Sequence, residues 1–182
     1  TLTQLLNYYD SITNMIEEGT YVDSIYLDFS KAFDKVDHNI LLCKIKILGI
    51  EGKIYDWIET FLKNRQQAVR VEGVLSRTEW VLSGIPQGSV LGPLLFVIMM
   101  NDINNDITYS VLSSFADDTR LWKKIASHHD TAKLQTDLQQ LYRWAEINNM
   151  SFNGDKFEGL SFGGTEKQTY ETPQHLTIAQ HT

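Results

Sequence analysis

Cysteine is nearly absent from this chain. The single residue, Cys43, excludes an internal disulfide and any cysteine-rich zinc site. The histidines at 38, 128, 129, 175 and 181 lack cysteine partners and metal-site spacing. Proline is scarce as well, and three prolines with eleven glycines exclude a low-complexity linker protein. No apolar run approaches the roughly 20 residues of a membrane span. The nearest candidate, Val90–Met100, is broken by Gly92-Pro93, so no membrane span is expected. The opening residues, Thr1 to Gln4, lack a basic n-region, so no signal peptide is expected. They also lack an initiator methionine, which suggests a piece of a longer chain.

Basic charge is in short supply: 16 Lys and Arg stand against 23 Asp and Glu, a net charge of −7. That balance argues against binding a polyanion over the whole surface. The distribution is uneven. Residues 1–38 hold seven acidic groups and two basic ones, whereas Lys44, Lys46, Lys53, Lys63, Arg65, Arg70 and Arg77 gather in one stretch. A polyanion would have to meet that patch, or meet the acidic groups through metal ions.

What is present is a globular composition, 42% hydrophobic and 21% charged. A chain of this length buries roughly two-thirds of its unfolded surface, enough for one self-sufficient core. Apolar residues at three- and four-residue steps predict a helix over 1–18. Alternation and β-branching predict a strand over Ser24–Phe29. Two helices follow, Asn39–Leu48 with Asp37 as N-cap, and Lys53–Lys63. Gln67–Val74 and Thr78–Leu82 read as strands joined by a short turn. A Gly- and Pro-rich loop over 83–93 leads into an apolar helix, Leu91–Asn104, with its hydrophobic residues on most sides. Tyr109–Phe115 and Arg120–Ala126 read as a hairpin with residues 116–119 at its tip, and Asp130–Asn148 as an amphipathic helix. Short strands flank a turn at Gly154, and beyond Gly163 the chain is polar and weakly patterned. No linker divides the chain. The order fits an α+β fold, an antiparallel sheet with helices packed on one face.

Three carboxylates stand out. Asp28 interrupts an apolar strand, and Asp117 and Asp118 sit together at a hairpin tip. A carboxylate in an apolar strand is expensive unless paired or bound to a cation. Oxygen ligands with no His or Cys nearby select a hard ion, usually Mg²⁺. Taken alone, Asp117-Asp118 reads equally as a turn and Asp28 as a strand-end cap. With the Pro86-Gln87-Gly88 loop, which brings backbone close to a ligand, the set suits phosphoryl transfer.

The segments YLDFSKAFDKVDH (26–38), SGIPQGSVLGPLLF (83–96), NDI (101–103) and FADDT (115–119) closely resemble, in order and spacing, the motifs of reverse transcriptases. The match is best with non-LTR, LINE-like retrotransposons of the jockey type. The resemblance implies a right-hand polymerase palm over residues 1–163 with part of the fingers, and a poorly matched tail over 164–182. It implies an RNA-directed DNA polymerase that transfers nucleotides from a dNTP to a DNA primer 3′-hydroxyl on an RNA template, using two Mg²⁺ ions, or Mn²⁺. Asp28, Asp117 and Asp118 would be catalytic and bind the metals, with the Phe29 carbonyl assisting. Phe33 falls on the steric-gate position that favours deoxynucleotides. Gln87 and Gly88 would contact the nascent base pair and template. Ala116 would pack beneath the primer end, and Lys156, in the segment NGDK, would approach the departing pyrophosphate. Asp34 and Asp37 match the pattern as caps or local ion-pair partners, and His38 as a structural residue.

The same resemblance sets expectations about what is missing. The basic fingers strands, the thumb and any endonuclease of a parent polyprotein are not in these residues. Work inside the cell, in nucleus or cytoplasm and without a membrane, is expected. A non-catalytic remnant, or a domesticated binding or structural module of a retroelement, is the alternative.

Overall fold

The computed structural model describes residues 2–163, 169–173, 176–178 and 180–181. The elements follow in the order α1 (Leu2–Glu17), β1 (Tyr21–Asp28), α2 (Ala32–Lys35), α3 (His38–Ile47), α4 (Gly52–Leu62), β2 (Gln66–Gln67), β3 (Arg70–Val71), β4 (Val74–Leu75), β5 (Glu79–Trp80), α5 (Gly92–Met100), β6 (Val111–Phe115), β7 (Asp118–Ile125), α6 (His128–Ile147), a 3₁₀ turn (Gly154–Lys156), β8 (Glu158–Phe162), β9 (Thr169–Glu171), β10 (Leu176–Ile178) and β11 (Gln180–His181). Two compact units result, Thr1–Ser30 with Ile103–Thr182, and Lys31–Asp102. The second is inserted into the first, so no linker marks the division in the sequence.

In the first unit a five-stranded sheet has the order β11-β8-β1-β7-β6. β1 is central and runs antiparallel to both β7 and β8. It is buried on both faces, which explains why its alternation is incomplete. Val22, Ser24 and Tyr26 point to one side and Ile25 and Leu27 to the other. α1 covers the first side. Its Tyr8 and Ile12 pack with Val22 and Trp122. The Tyr8 hydroxyl donates to Ser24 Oγ at 2.8 Å, and the Arg120 guanidinium lies over the Tyr8 and Tyr26 rings. α6 serves the second side through Leu134, Leu138 and Leu141, all fully buried, and through Trp144, which meets the Phe29 ring. The expected antiparallel sheet with packed helices is present in β8-β1-β7-β6, the two-residue β11 lies parallel to β8 at the edge, and helices cover both faces rather than one.

Two buried carboxylates fasten this unit. Asp137 of α6 accepts from the backbone N–H groups of Thr108 and Tyr109, which holds the loop entering β6. Asp23 of β1 accepts from Ser161 Oγ at 2.6 Å and from the Tyr170 hydroxyl. Tyr170 lies in the stretch that reads as weakly patterned, yet it is fully buried.

In the second unit α3, α4 and α5 contribute Leu41, Ile45, Ile58, Leu62, Leu95, Phe96 and Met99 to the core. Asp37 caps α3 as expected, accepting from Asn39 N and Ile40 N. Lys44 Nζ donates to Met99 O and Asp102 Oδ1; burial lowers its pKa and Asp102 opposes that. α5 is shorter than its apolar run and leaves Leu94 and Val97 exposed. The strand pair expected over 67–82 is different in form. β2 pairs with β5 and β3 with β4, each two residues long, and the tip is Glu72-Gly73. Both tip residues have positive φ, the pattern that closes a tight hairpin in register with strand twist. Among the described residues no helix is long and apolar enough to cross a membrane.

Burial raises the phenol pKa values of Tyr170, Tyr8 and Tyr142 above their ordinary 10.0, and the Asp23 charge adds to the effect at Tyr170. Ionisation therefore occurs first in the unfolded chain. Stability from these groups is full below pH 10 and falls as pH rises beyond it. Tyr170→Phe leaves the buried Asp23 short of one donor. It should lower stability at pH 7 by about 1–3 kcal/mol in urea unfolding, and flatten the alkaline fall.

Candidate active site

Asp28 closes β1 and Asp118 opens β7, and the ladder sets their Cα atoms directly across from each other. The β6–β7 hairpin pairs Phe115 with Asp118, so its loop is only Ala116-Asp117. The four-residue tip read from the sequence is thus two residues, with Asp118 and Thr119 already in the strand. Ala116 turns the chain at φ 52, a left-handed conformation that costs a residue with a β-carbon roughly 1 kcal/mol. The turn leaves Ala116 exposed and Asp117 half-buried at the tip.

Carboxylates facing each other across a ladder repel. The structure answers this with Lys156, whose Nζ lies 2.8 Å from Asp28 Oδ2. Its pKa is raised by the hydrogen bond and charge of Asp28, and further by the charges of Asp117 and Asp118. All three carboxylates therefore act on one exposed ammonium. Backbone pairing delivers that lysine. Ser30 N donates to Ser151 O and Asn153 N to Asp28 O, which zips the chain leaving α6 to the end of β1. Asn153 Oδ1 then accepts from Asp155 N and starts the turn that ends at Lys156. Phe29 sits inside this junction, paired with Phe152 and stacked on its ring at 4.2 Å. The bonds flanking the Phe29–Phe152 bridge do not use the Phe29 carbonyl.

The donor chemistry is that of a hard divalent cation: carboxylate oxygens at the end of the ladder, one of them already bound to an ammonium. Among the described residues no three His, Cys, Asp or Glu side chains form a closed cluster. Asp28, Asp117 and Asp118 are the groups that would hold such an ion.

Phe33, Gln87 and Gly88 belong to the second unit. Phe33 is half-buried, stacked on Phe96 at 4.3 Å. Gln87 and Gly88 are exposed, and Gly88 has φ 77, which favours glycine although nothing crowds it. Gly84 has a second reason to be glycine, because a Cβ there would lie 2.8 Å from Asp34 O. His38 is buried, and its Nε2 is 2.8 Å from Gly84 O, which also accepts from Arg65. Arg65 and His38 are therefore structural. Asp34 accepts from Gln87 Nε2 at 2.9 Å, where the sequence suggested a cap or a local ion pair. No spacing rule signals a bond between side chains 53 positions apart.

A family model described as reverse transcriptase (RNA-dependent DNA polymerase) matches residues 6–176. The chain belongs to the reverse transcriptase family. Among relatives of this reverse transcriptase chain, the probable RNA-directed DNA polymerase from transposon X-element of Drosophila melanogaster is 32% identical over 167 residues, covering 89% of this chain and 18% of that protein. The RNA-directed DNA polymerase from mobile element jockey of Drosophila funebris is 32% identical over 155 residues, covering 81% and 17%. The chain thus spans less than a fifth of the length of these two relatives, and the resemblance to jockey-type elements is borne out. An apo telomerase structure from Candida tropicalis shares the fold, with a TM-score of 0.66 and 13% identity, over 93% of this chain and 37% of that one.

Mn²⁺ titration should broaden the amide resonances of Asp28, Ala116, Asp117, Asp118 and Lys156 before any others. Lys156→Met removes the competing ammonium and should tighten Mn²⁺ binding several-fold. Uniform broadening across the chain would refute the site.

Proposed function

We propose that this chain is the palm of an RNA-directed DNA polymerase, which extends a DNA primer on an RNA template by transfer from a dNTP. The observation that carries the reading is the placing of Asp28 and Asp118 across from each other at the ladder end, with Asp117 in the adjoining two-residue loop and Lys156 bound to Asp28. It is supported by relatives named as RNA-directed DNA polymerases, and by a telomerase of the same fold whose structure contains a telomeric RNA fragment.

Two divalent ions, Mg²⁺ or Mn²⁺, held by Asp28, Asp117, Asp118 and the Phe29 carbonyl, would neutralise the triphosphate and ease deprotonation of the primer hydroxyl. The chain's own residues supply position and protons. The Ala116 turn supports the primer end beside the carboxylates. The primer 3′-oxygen attacks the α-phosphorus as its proton passes to solvent water, and the bond from that phosphorus to the oxygen bridging to the β-phosphate breaks, releasing pyrophosphate. Lys156, an ammonium that cations on the carboxylates would free from Asp28, can give its Nζ proton to that leaving oxygen. Phe33 walls off a 2′-hydroxyl, while Gln87 and Gly88 meet the nascent base pair and template. The same reading places the work in the nucleus or cytoplasm.

Affinity for a nucleic-acid backbone comes mainly from Lys and Arg contacts, which this acidic chain has in limited number. The 182 residues alone should therefore not extend a primer processively, whereas a longer protein carrying them should. With poly-A, oligo-dT, dTTP and Mg²⁺, Asp117→Ala should reduce extension by at least about a hundredfold. Extension by the longer protein that survives Asp117→Ala would overturn the proposal. Phe33→Ala should admit ribonucleotides much more readily, read from alkali-labile sites in the product.

A further inference from the structure

We infer that Asp34 is a positioning residue that fixes the Gln87 carboxamide, and through it the contact with the base pair being formed. This rests on the polymerase reading of Gln87. An exposed glutamine has three freely turning side-chain torsions, and a group that must meet a base edge cannot act while it rotates. Asp34 Oδ1 accepts from Gln87 Nε2 at 2.9 Å, which uses one of the two amide protons. The other proton and the carbonyl oxygen are then presented in a fixed order, one donor and one acceptor for a nucleobase or sugar. The acceptor is charged, so the bond is of the stronger kind.

The anchor itself is held. Asp34 lies on α2, whose backbone is bound to the loop at three points. Ser83 Oγ donates to Asp34 O, Gly84 N to Val36 O, and Ile85 N to Phe33 O. Gly84 O in turn takes donors from Arg65 and His38. Phe33, on the same short helix, is clamped against Phe96. The ring that would face the sugar and the amide that would face the base are thus parts of one rigid piece. Asp34 is its only side-chain link to Gln87 among the bonds described.

The test compares Asp34→Ala with Asp34→Asn, which keeps an acceptor at Oδ1. The first readout needs no activity: the side-chain amide resonances of Gln87 in the isolated chain, assigned by Gln87→Glu. Asp34→Ala should collapse them toward free-glutamine values, and Asp34→Asn should leave them dispersed. The second readout is steady-state dTTP incorporation by the longer protein on poly-A and oligo-dT. Asp34→Ala should raise KM about tenfold with kcat within twofold, and Asp34→Asn should restore most of it. Gln87 resonances unmoved in Asp34→Ala would overturn the proposal, as would an unchanged KM alongside shifted resonances. A longer protein that extends no primer at all overturns the polymerase reading instead, and the resonances still decide whether Asp34 holds Gln87.

Discussion

The antiparallel ladder between β1 and β7 places two carboxylates opposite each other at its open end, and much of the first unit serves to keep that ladder in register. A slip of one residue would turn every side chain of β1 to the wrong face. α1 resists this on one side through Tyr8, Ser24 and Arg120. On the other side Asp23, fastened by Ser161 and Tyr170, ties β1 to β8 and to a strand far along the chain. Polar groups buried in this way specify a register more sharply than apolar packing does, because any other pairing leaves them unsatisfied.

Electrostatics then makes the end of the ladder a place for cations. The repulsion between Asp28 and Asp118 is offset by a lysine at the end of the 3₁₀ turn before β8, brought in by a two-bond zipper at Ser30 and Asn153. The lysine is exposed and the carboxylate beneath it is mostly covered. The ammonium therefore lies on the solvent side of a mostly covered Asp28 carboxylate. On the proposed reading, the surplus of carboxylates would become attraction once cations stood between this unit and a phosphate chain.

Much of this was legible in the sequence. The long amphipathic runs of α1, α4 and α6 have a clear helical period, and Asp37 caps α3 as its position suggests. The aspartates announced themselves by standing where apolar residues or a turn were expected. The failures have physical causes. Glu72 and Gly73 carry the hairpin tip in positive φ, and Glu72 gives no warning of that. Leu94 and Val97 are apolar yet exposed, because composition alone does not say which side of α5 is covered. Tyr170 lies in a polar stretch, and a single buried aromatic has no periodicity to reveal it. The Asp34–Gln87 bond and the Lys156–Asp28 pair join residues remote in the chain, and local pattern carries no trace of such contacts.

The insertion of one unit within the other also has a consequence in time. Asp28 is made before its partner across the ladder, which comes 90 positions later, after the whole of Lys31–Asp102. Closing so long a loop is entropically slow relative to forming local helices. On the ribosome, helices α3, α4 and α5 are complete while β1 still lacks a neighbour, and the lysine that neutralises Asp28 is made later still, at position 156. A growing chain therefore has no facing pair of carboxylates until β7 is made. A prematurely terminated copy that stops short of β7 would remain without one.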